Sequence, residues 1–297
     1  MLIGAHISSA GGLQNAPKNA HNIGCGVFQF FSRSPRGGKA LELSVEVVRE
    51  FRENMKKYKQ KECYIHAPYY INLASSKKNI YHGSISVLRE ELERGSKLGA
   101  KYLMTHLGSA KDLGHEKSIK QVAKGISEIL KNYKGSCEFL MEMSAGSGQI
   151  IGDTFEEIAE ILKSFRSQSE KNKRPVCHSD KESLESVGGW PIGICYDTAH
   201  AFESGYDMRD RKSVKKTLNE FDKILGLDKL KLIHINDSKT DLGSRVDRHE
   251  HIGKGKIGLE GFKALLSNKK LKNINLILET PGDEERISDI KILKNLR

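Results

Sequence analysis

The sequence predicts an α/β fold: a closed (β/α)8 TIM barrel forming a single domain. Three observations carry that expectation. Short apolar runs alternate with longer amphipathic ones from end to end, eight of each can be placed, and 297 residues suits one undivided barrel. An open doubly wound sheet is the structural alternative, but no Gly-x-Gly-x-x-Gly follows the first strand.

Taken in order, the strands are expected at Leu2–Ala5, Val27–Phe31, Cys63–His66, Tyr102–His106, Phe139–Met143, Ile192–Tyr196, Leu230–Ile235 and Leu276–Glu279. Each is a short, mainly apolar run. Helical periodicity falls between them, roughly at Leu13–Ile23, Val45–Tyr58, Ile80–Leu98, Lys117–Asn132, Phe155–Phe165, Val214–Leu225, Leu259–Leu266 and Glu284–Leu296. Ser44 and Thr154 are N-cap candidates and Gly99 is a stop signal. The polar, lysine-rich segment 166–190 joins a helix to the next strand and contains Cys177-His178. It is expected to be a solvated surface insertion on the bottom face rather than a second metal site.

Lys and Arg (49) outnumber Asp and Glu (38), giving a formal charge of +11. That excess suits a polyanionic partner, although lysines on water-facing helix surfaces would also produce it. Cys25, Cys63, Cys137, Cys177 and Cys195 form no Cys-x-x-Cys pair, which points to a reducing compartment without a disulfide framework. Leu2-Ile3-Gly4-Ala5 has no basic leader before it, and no apolar run is long enough for a membrane span. The expected location is the cytoplasm of a bacterial cell, or the nucleus in a eukaryote.

The chemistry is concentrated at strand ends. Apolar runs terminate in His66, His106, Glu142, Asp197, His234 and Glu279, and in such barrels the C-terminal strand ends share one rim. His200 follows Asp197 by three positions, and Asp247 and His249 flank Arg248 in a polar loop. Asp-x-x-His alone is weak, since an aspartate after a strand often caps a helix. Two donors at that spacing could serve one ion or give two ions one ligand each. Together, five histidines, two aspartates and two glutamates would be hard to bury without metal. Nitrogen and oxygen donors suit zinc, manganese or iron, and nine of them could hold two or three ions. Such a cluster fits phosphoryl chemistry, in which a metal-activated water replaces a side-chain nucleophile.

Several segments resemble the endonuclease IV family of apurinic/apyrimidinic endonucleases. They are Gly4-Ala5-His6-Ile7-Ser8, Ala10-Gly11-Gly12, His66-Ala67-Pro68-Tyr69, Glu142-Met143-Ser144-Ala145-Gly146, Asp197-Thr198-Ala199-His200-Ala201-Phe202, His234-Ile235-Asn236-Asp237-Ser238-Lys239, and Asp247-Arg248-His249 with Gly253-Lys254-Gly255. The His-x-Asn-Asp-Ser-Lys stretch, then Asp-Arg-His, then Gly-x-Gly, is the specific part.

The resemblance implies three zinc ions and cleavage of duplex DNA on the 5′ side of abasic sites. The products would be a 3′-hydroxyl and a 5′-deoxyribose phosphate, with trimming of blocked 3′ ends. Carried over by position, His66, His106 and Glu142 hold one ion. Glu142 bridges to a second held by Asp197, His234 and Glu279, while His200, Asp247 and His249 hold the third. The implied nucleophile is the hydroxide shared by the first two ions. Arg36 matches a residue that contacts DNA near the lesion and Tyr69 one that inserts at the abasic gap; otherwise they are a loop cation and rim packing. His6 lies near the rim without matching a ligand and could orient a metal-bound group. Manganese or iron could replace some of the zinc, and a monomer is the simplest assembly. The rivals are a metal-dependent sugar isomerase or epimerase on the same barrel, which needs no third donor group, and a non-catalytic DNA-binding barrel.

Overall fold

The computed structural model describes residues 1–171 and 192–297, so the expected insertion lies outside the described residues from position 172 to its end. The strands are β1 (Ile3–Ile7), β2 (Val27–Phe30), β3 (Cys63–His66), β4 (Tyr102–Thr105), β5 (Glu138–Glu142), β6 (Ile192–Asp197), β7 (Leu230–His234), β8 (Asp237–Ser238), β9 (His249–Glu250) and β10 (Asn275–Leu278). All but β8 and β9 pair in parallel to close a barrel in the order β1-β10-β7-β6-β5-β4-β3-β2. The last ladder sets Ile3 opposite Leu276, which seals β1 against β10. At Gly4 the β1 and β2 backbones approach so closely that a Cβ would lie 1.8 Å from the Val27 carbonyl oxygen.

The helices on the outside are α1 (Ala16–Asn22), α2 (Val45–Lys57), α3 (Lys78–Leu98), α4 (His115–Leu130), α5 (Phe155–Lys171), α7 (Arg211–Ile224), α8 (Gly258–Leu266) and α9 (Asp283–Asn295), with α6 (Thr198–Glu203) at the top of β6. Their ends carry the expected chemistry. Ser44 Oγ accepts from Val47 N at 3.3 Å and Thr154 Oγ1 from Glu157 N at 3.2 Å. Gly99 closes α3 in the left-handed conformation, φ 81°. Helix α5 continues six residues past its expected stop at Phe165, because no glycine or proline interrupts 166–171. Helix α6 and the β8–β9 hairpin are additions that the sequence pattern did not mark.

Two apolar layers divide the fold. One lies between strands and helices; the other fills the barrel with Val27, Tyr64, Tyr102, Met104, Leu140, Cys195, Leu232 and Ile277. Strand side chains alternate faces, so the next inward position is two residues on. Two residues beyond seven of those interior side chains stand Gln29, His66, His106, Glu142, Asp197, His234 and Glu279. The apolar plug therefore forms the floor of a polar ring.

Candidate metal centre

Three groups of donors occupy that ring, each with ligand atoms within 4.8 Å of one another: His66, His106 and Glu142; Glu142, Asp197, His234 and Glu279; and Asp197, His200 and His249. Asp247 adjoins the last group, its Oδ1 standing 3.4 Å from His200 Nε2 and 3.8 Å from His249 Nε2. All nine candidate ligands thus meet at one rim. The grouping differs from the sequence expectation in its third set: Asp197 stands there with His200 and His249 while Asp247 only adjoins it, and Asp197 Oδ2 lies 3.7 Å from His249 Nε2 and 3.8 Å from His234 Nδ1.

Glu142 is fully buried at the centre. One oxygen, Oε2, faces His66 Nε2 at 2.9 Å and His106 Nε2 at 3.7 Å; the other, Oε1, faces His234 Nδ1 at 2.9 Å. One carboxylate therefore addresses two donor groups. Burial opposes its charge, but the imidazoles of His106, His234 and His66 outweigh burial and hold it well below the usual carboxylate range. Glu279 is likewise pushed up by burial yet held well below that range, mainly by His234. The opposite holds across each pair. Burial lowers His200 and His234, while the Asp197 and Asp247 carboxylates for the former, and the Cys195 sulfur with the Glu279 and Glu142 carboxylates for the latter, carry both well above the ordinary value.

Protein partners aim the rings. His66 Nδ1 donates to Ala67 O at 2.7 Å and His200 Nδ1 to Met143 O at 2.9 Å, which turns each Nε2 toward the cluster. Asn236, at the top of β7, donates from Nδ2 to Asp197 Oδ2 at 2.7 Å and accepts Glu279 N at 2.7 Å. The sequence marks Asn236 only as part of the His-x-Asn-Asp-Ser-Lys stretch, without a role, and does not mark Gln29. The signal for Gln29 was available: an amide in the apolar run Val27-Phe28-Gln29-Phe30, at the same inward register as the ligands.

The residues fit a bound metal cluster. Four carboxylates among five imidazoles, mostly buried, require cations in their midst, either protons or metal ions. His106 Nδ1 is buried without a protein partner, so this ring is not satisfied by protein alone. A cavity of about 270 Å³ opens over the group, lined by His6, Tyr69 and Arg286 together with several of the ligands. Tyr69 is 68% exposed at its mouth, its ring edge-on to Phe31 with centroids 5.2 Å apart. Arg36 is exposed in the loop after β2, where Ser34 Oγ accepts its backbone N–H at 3.4 Å.

Residues 17–296 match a family described as the xylose isomerase-like TIM barrel, the class that this closed barrel and its rim of acid and imidazole donors define. A protein of Nitrosopumilus maritimus (strain SCM1) named "Probable endonuclease 4" is 38% identical over 288 residues, 96% of this chain and 95% of that protein. The crystal structure of endonuclease IV from Thermus thermophilus aligns with a TM-score of 0.83 at 31% identity, covering 100% of this chain and 98% of that one. The chain belongs to the endonuclease IV family. A D-tagatose 3-epimerase-like protein aligns with a TM-score of 0.69 at 18% identity over 100% of this chain and 97% of that one, a likeness of fold alone.

Proposed function

We propose that this protein is a DNA-repair endonuclease that hydrolyses the phosphodiester bond 5′ to abasic sites in duplex DNA. It leaves a 3′-hydroxyl and a 5′-deoxyribose phosphate, and it trims blocked 3′ ends. The observation that carries the reading is the junction of three donor groups through Glu142 and Asp197 in a chain whose named relatives are endonucleases.

The ligand assignment is His66, His106 and Glu142 for one ion, Glu142, Asp197, His234 and Glu279 for a second, and His200, Asp247 and His249 for a third, with Asp197 close enough to join the third. Zinc fits this nitrogen and oxygen set, and manganese or iron could take some positions. When bound, the ions supply Lewis-acid chemistry: they neutralise phosphate oxygens, acidify a water and stabilise the leaving oxygen. The chain's own part is to hold and aim that chemistry. Glu142, with one oxygen toward His66 and the other toward His234, would serve two donor groups at once, the Ala67 and Met143 carbonyls fix the His66 and His200 rings, and Asn236 fixes Asp197. Tyr69 fills the gap left by the missing base, and Arg36 contacts the backbone beside it. The whole chain acts as one domain and as a monomer in the cytoplasm. Among the described residues no helix is long and apolar enough to cross a membrane.

A sugar isomerase would need only the group of Glu142, Asp197, His234 and Glu279, so the third donor group and the +11 charge argue for DNA. The test is a labelled duplex with one synthetic abasic site, assayed beside metal analysis of the same sample. A single cut 5′ to the lesion with about three ions per chain supports the proposal. A metal-loaded chain that leaves the duplex intact and epimerises a ketose overturns it.

A further inference from the structure

Gln29 lies at the inward register of β2, is fully buried, and touches two other members of the polar ring and His6. Its Nε2 is 2.6 Å from Glu279 Oε1 and 2.9 Å from His6 Nδ1, and its Oε1 is 2.7 Å from His234 Nε2. The orientation of the amide follows from its neighbours. An ionised carboxylate only accepts, so the atom facing Glu279 must be the NH2 group. The amide oxygen then faces His234, and the Nε2 of that ring must carry a hydrogen. The second hydrogen of the NH2 group points at His6 Nδ1, which must accept and is therefore bare. Every donor of the amide is used once in this arrangement, and the flipped one sets oxygen against oxygen at 2.6 Å.

We propose that Gln29 is a positioning residue whose one amide fixes the ring tautomers of both His234 and His6, so that His6 presents its Nε2–H to the phosphate of the substrate. The inference rests on the proposed nuclease reading. On the His234 side, the proton on Nε2 leaves Nδ1 as the ligand atom, and Nδ1 lies 2.9 Å from Glu142 Oε1 and 3.1 Å from Glu279 Oε2, inside the second donor group. On the His6 side, Nε2 has no protein hydrogen-bond partner among the described residues, and the ring lines the 270 Å³ cavity beside Glu279. A neutral donor there adds a hydrogen bond to an anionic oxygen without competing for a metal ion. Gln29 also holds Glu279 by one oxygen and leaves the other toward His234, which ties the ligand carboxylate to the same amide.

The test begins with histidine ring tautomers of the zinc-loaded full chain, read by long-range 1H–15N NMR correlation. The expected result is Nε2–H for both His6 and His234. A proton on His6 Nδ1 or on His234 Nδ1 overturns the assignment. Gln29→Met keeps the volume and removes both polar ends. It should weaken one of the bound zinc equivalents about 10- to 100-fold in a chelator competition, the usual cost of losing such support, while the others keep their affinity. Uniform loss of all zinc with the melting temperature marks a structural role only and also overturns the proposal. If that variant does not fold, the ring tautomers of the parent chain decide by themselves. Correct tautomers in a protein that leaves abasic DNA uncut would defeat the proposed function and leave the Gln29 assignment standing.

Discussion

Asp197 caps the helix that carries His200: its Oδ1 accepts the His200 backbone N–H at 2.9 Å, so one carboxylate starts α6 and faces the donor cluster at once. The two demands can be separated by mutation. Asp197→Asn keeps a good cap but removes the charge, whereas Asp197→Ala removes both. Both should lose at least about 100-fold in cleavage, in keeping with the removal of a direct metal ligand. Only Asp197→Ala should also lose about 1 kcal/mol of metal-free stability, measured by urea unfolding in chelator. Equal stability of the two variants would show that the cap contributes nothing.

Glu142 is the residue through which two donor groups meet, so Glu142→Gln tests the junction itself. The amide halves the acceptor capacity and cancels the charge between His66 and His234. Cleavage should be abolished, while binding to an abasic duplex, followed by gel shift, survives in part because the chain keeps its net positive charge. Near-normal cleavage by Glu142→Gln would overturn the mechanism.

How far these features were legible in the sequence follows from what the pattern encodes. The strands could be read because short apolar runs end in a polar donor, and the rule that strand ends share a rim then brought His66, His106, Glu142, Asp197, His234 and Glu279 together. Asp197 illustrates the limit. Its residue type is equally suited to a cap and to a metal, and only coordinates reveal that one oxygen caps the helix while the other faces the donor cluster. The roles of Gln29 and Asn236 are not legible because amides bear no charge and match no ligand spacing; they depend on distances across the barrel, to residues more than 200 and about 40 positions away. Short elements such as α6 and the β8–β9 hairpin carry too few residues for any periodicity to show.

Histidine protonation gives the metal-free and metal-loaded proteins opposite pH responses. Burial lowers His66, His200 and His234, but nearby anions raise all three above the ordinary value in the metal-free chain. A raised histidine contributes stability that is fully present below its unfolded value near 6.5 and is lost as pH rises through its folded value. His6 and His106, lowered chiefly by burial, have the opposite sign and act below about 6.5. Above about 6.5, then, the metal-free chain should lose stability as pH rises. Zinc competes with the same protons and binds better as they leave, so the loaded chain should hold or gain. Melting temperatures between about pH 6.5 and 9, in chelator and in excess zinc, should diverge. The gap should reach about 4 kcal/mol where zinc is roughly 1,000 times Kd. Parallel curves would mean that these histidines do not exchange protons for metal.

Tyr69 is a largely exposed ring at the mouth of the cavity, and Arg36 is an exposed cation in the loop after β2. Arg36→Ala should weaken binding to an abasic duplex, and its effect should shrink as salt rises if the contact is to phosphate. Tyr69→Ala should instead cost about 1–3 kcal/mol of discrimination between abasic and intact duplex, the scale of one stacked ring, with little change in salt slope. Fluorescence anisotropy across a salt series separates the two. A salt slope lowered by Tyr69→Ala and not by Arg36→Ala would reverse the assignments.

Glu203, at the end of α6, ties down the segment that brings Asp247 and His249 to the cluster. Its Oε1 accepts from Ser238 Oγ at 2.7 Å, Thr240 Oγ1 at 3.2 Å and the Arg248 backbone N–H at 3.2 Å, and its carbonyl accepts Arg245 N at 2.9 Å. Asp247 itself sits on the exposed side of that segment, so its position depends on the backbone held beneath it. Glu203→Ala should therefore loosen one donor group and leave the other two aimed by the strands. Zinc titration against a chromophoric chelator should show one equivalent weakened about 10- to 100-fold and two unchanged. Glu203→Gln keeps an acceptor oxygen and should restore most of that affinity. If both variants bind all zinc as tightly as the parent chain, the strands alone place the third group, and the hairpin follows the metal rather than guiding it.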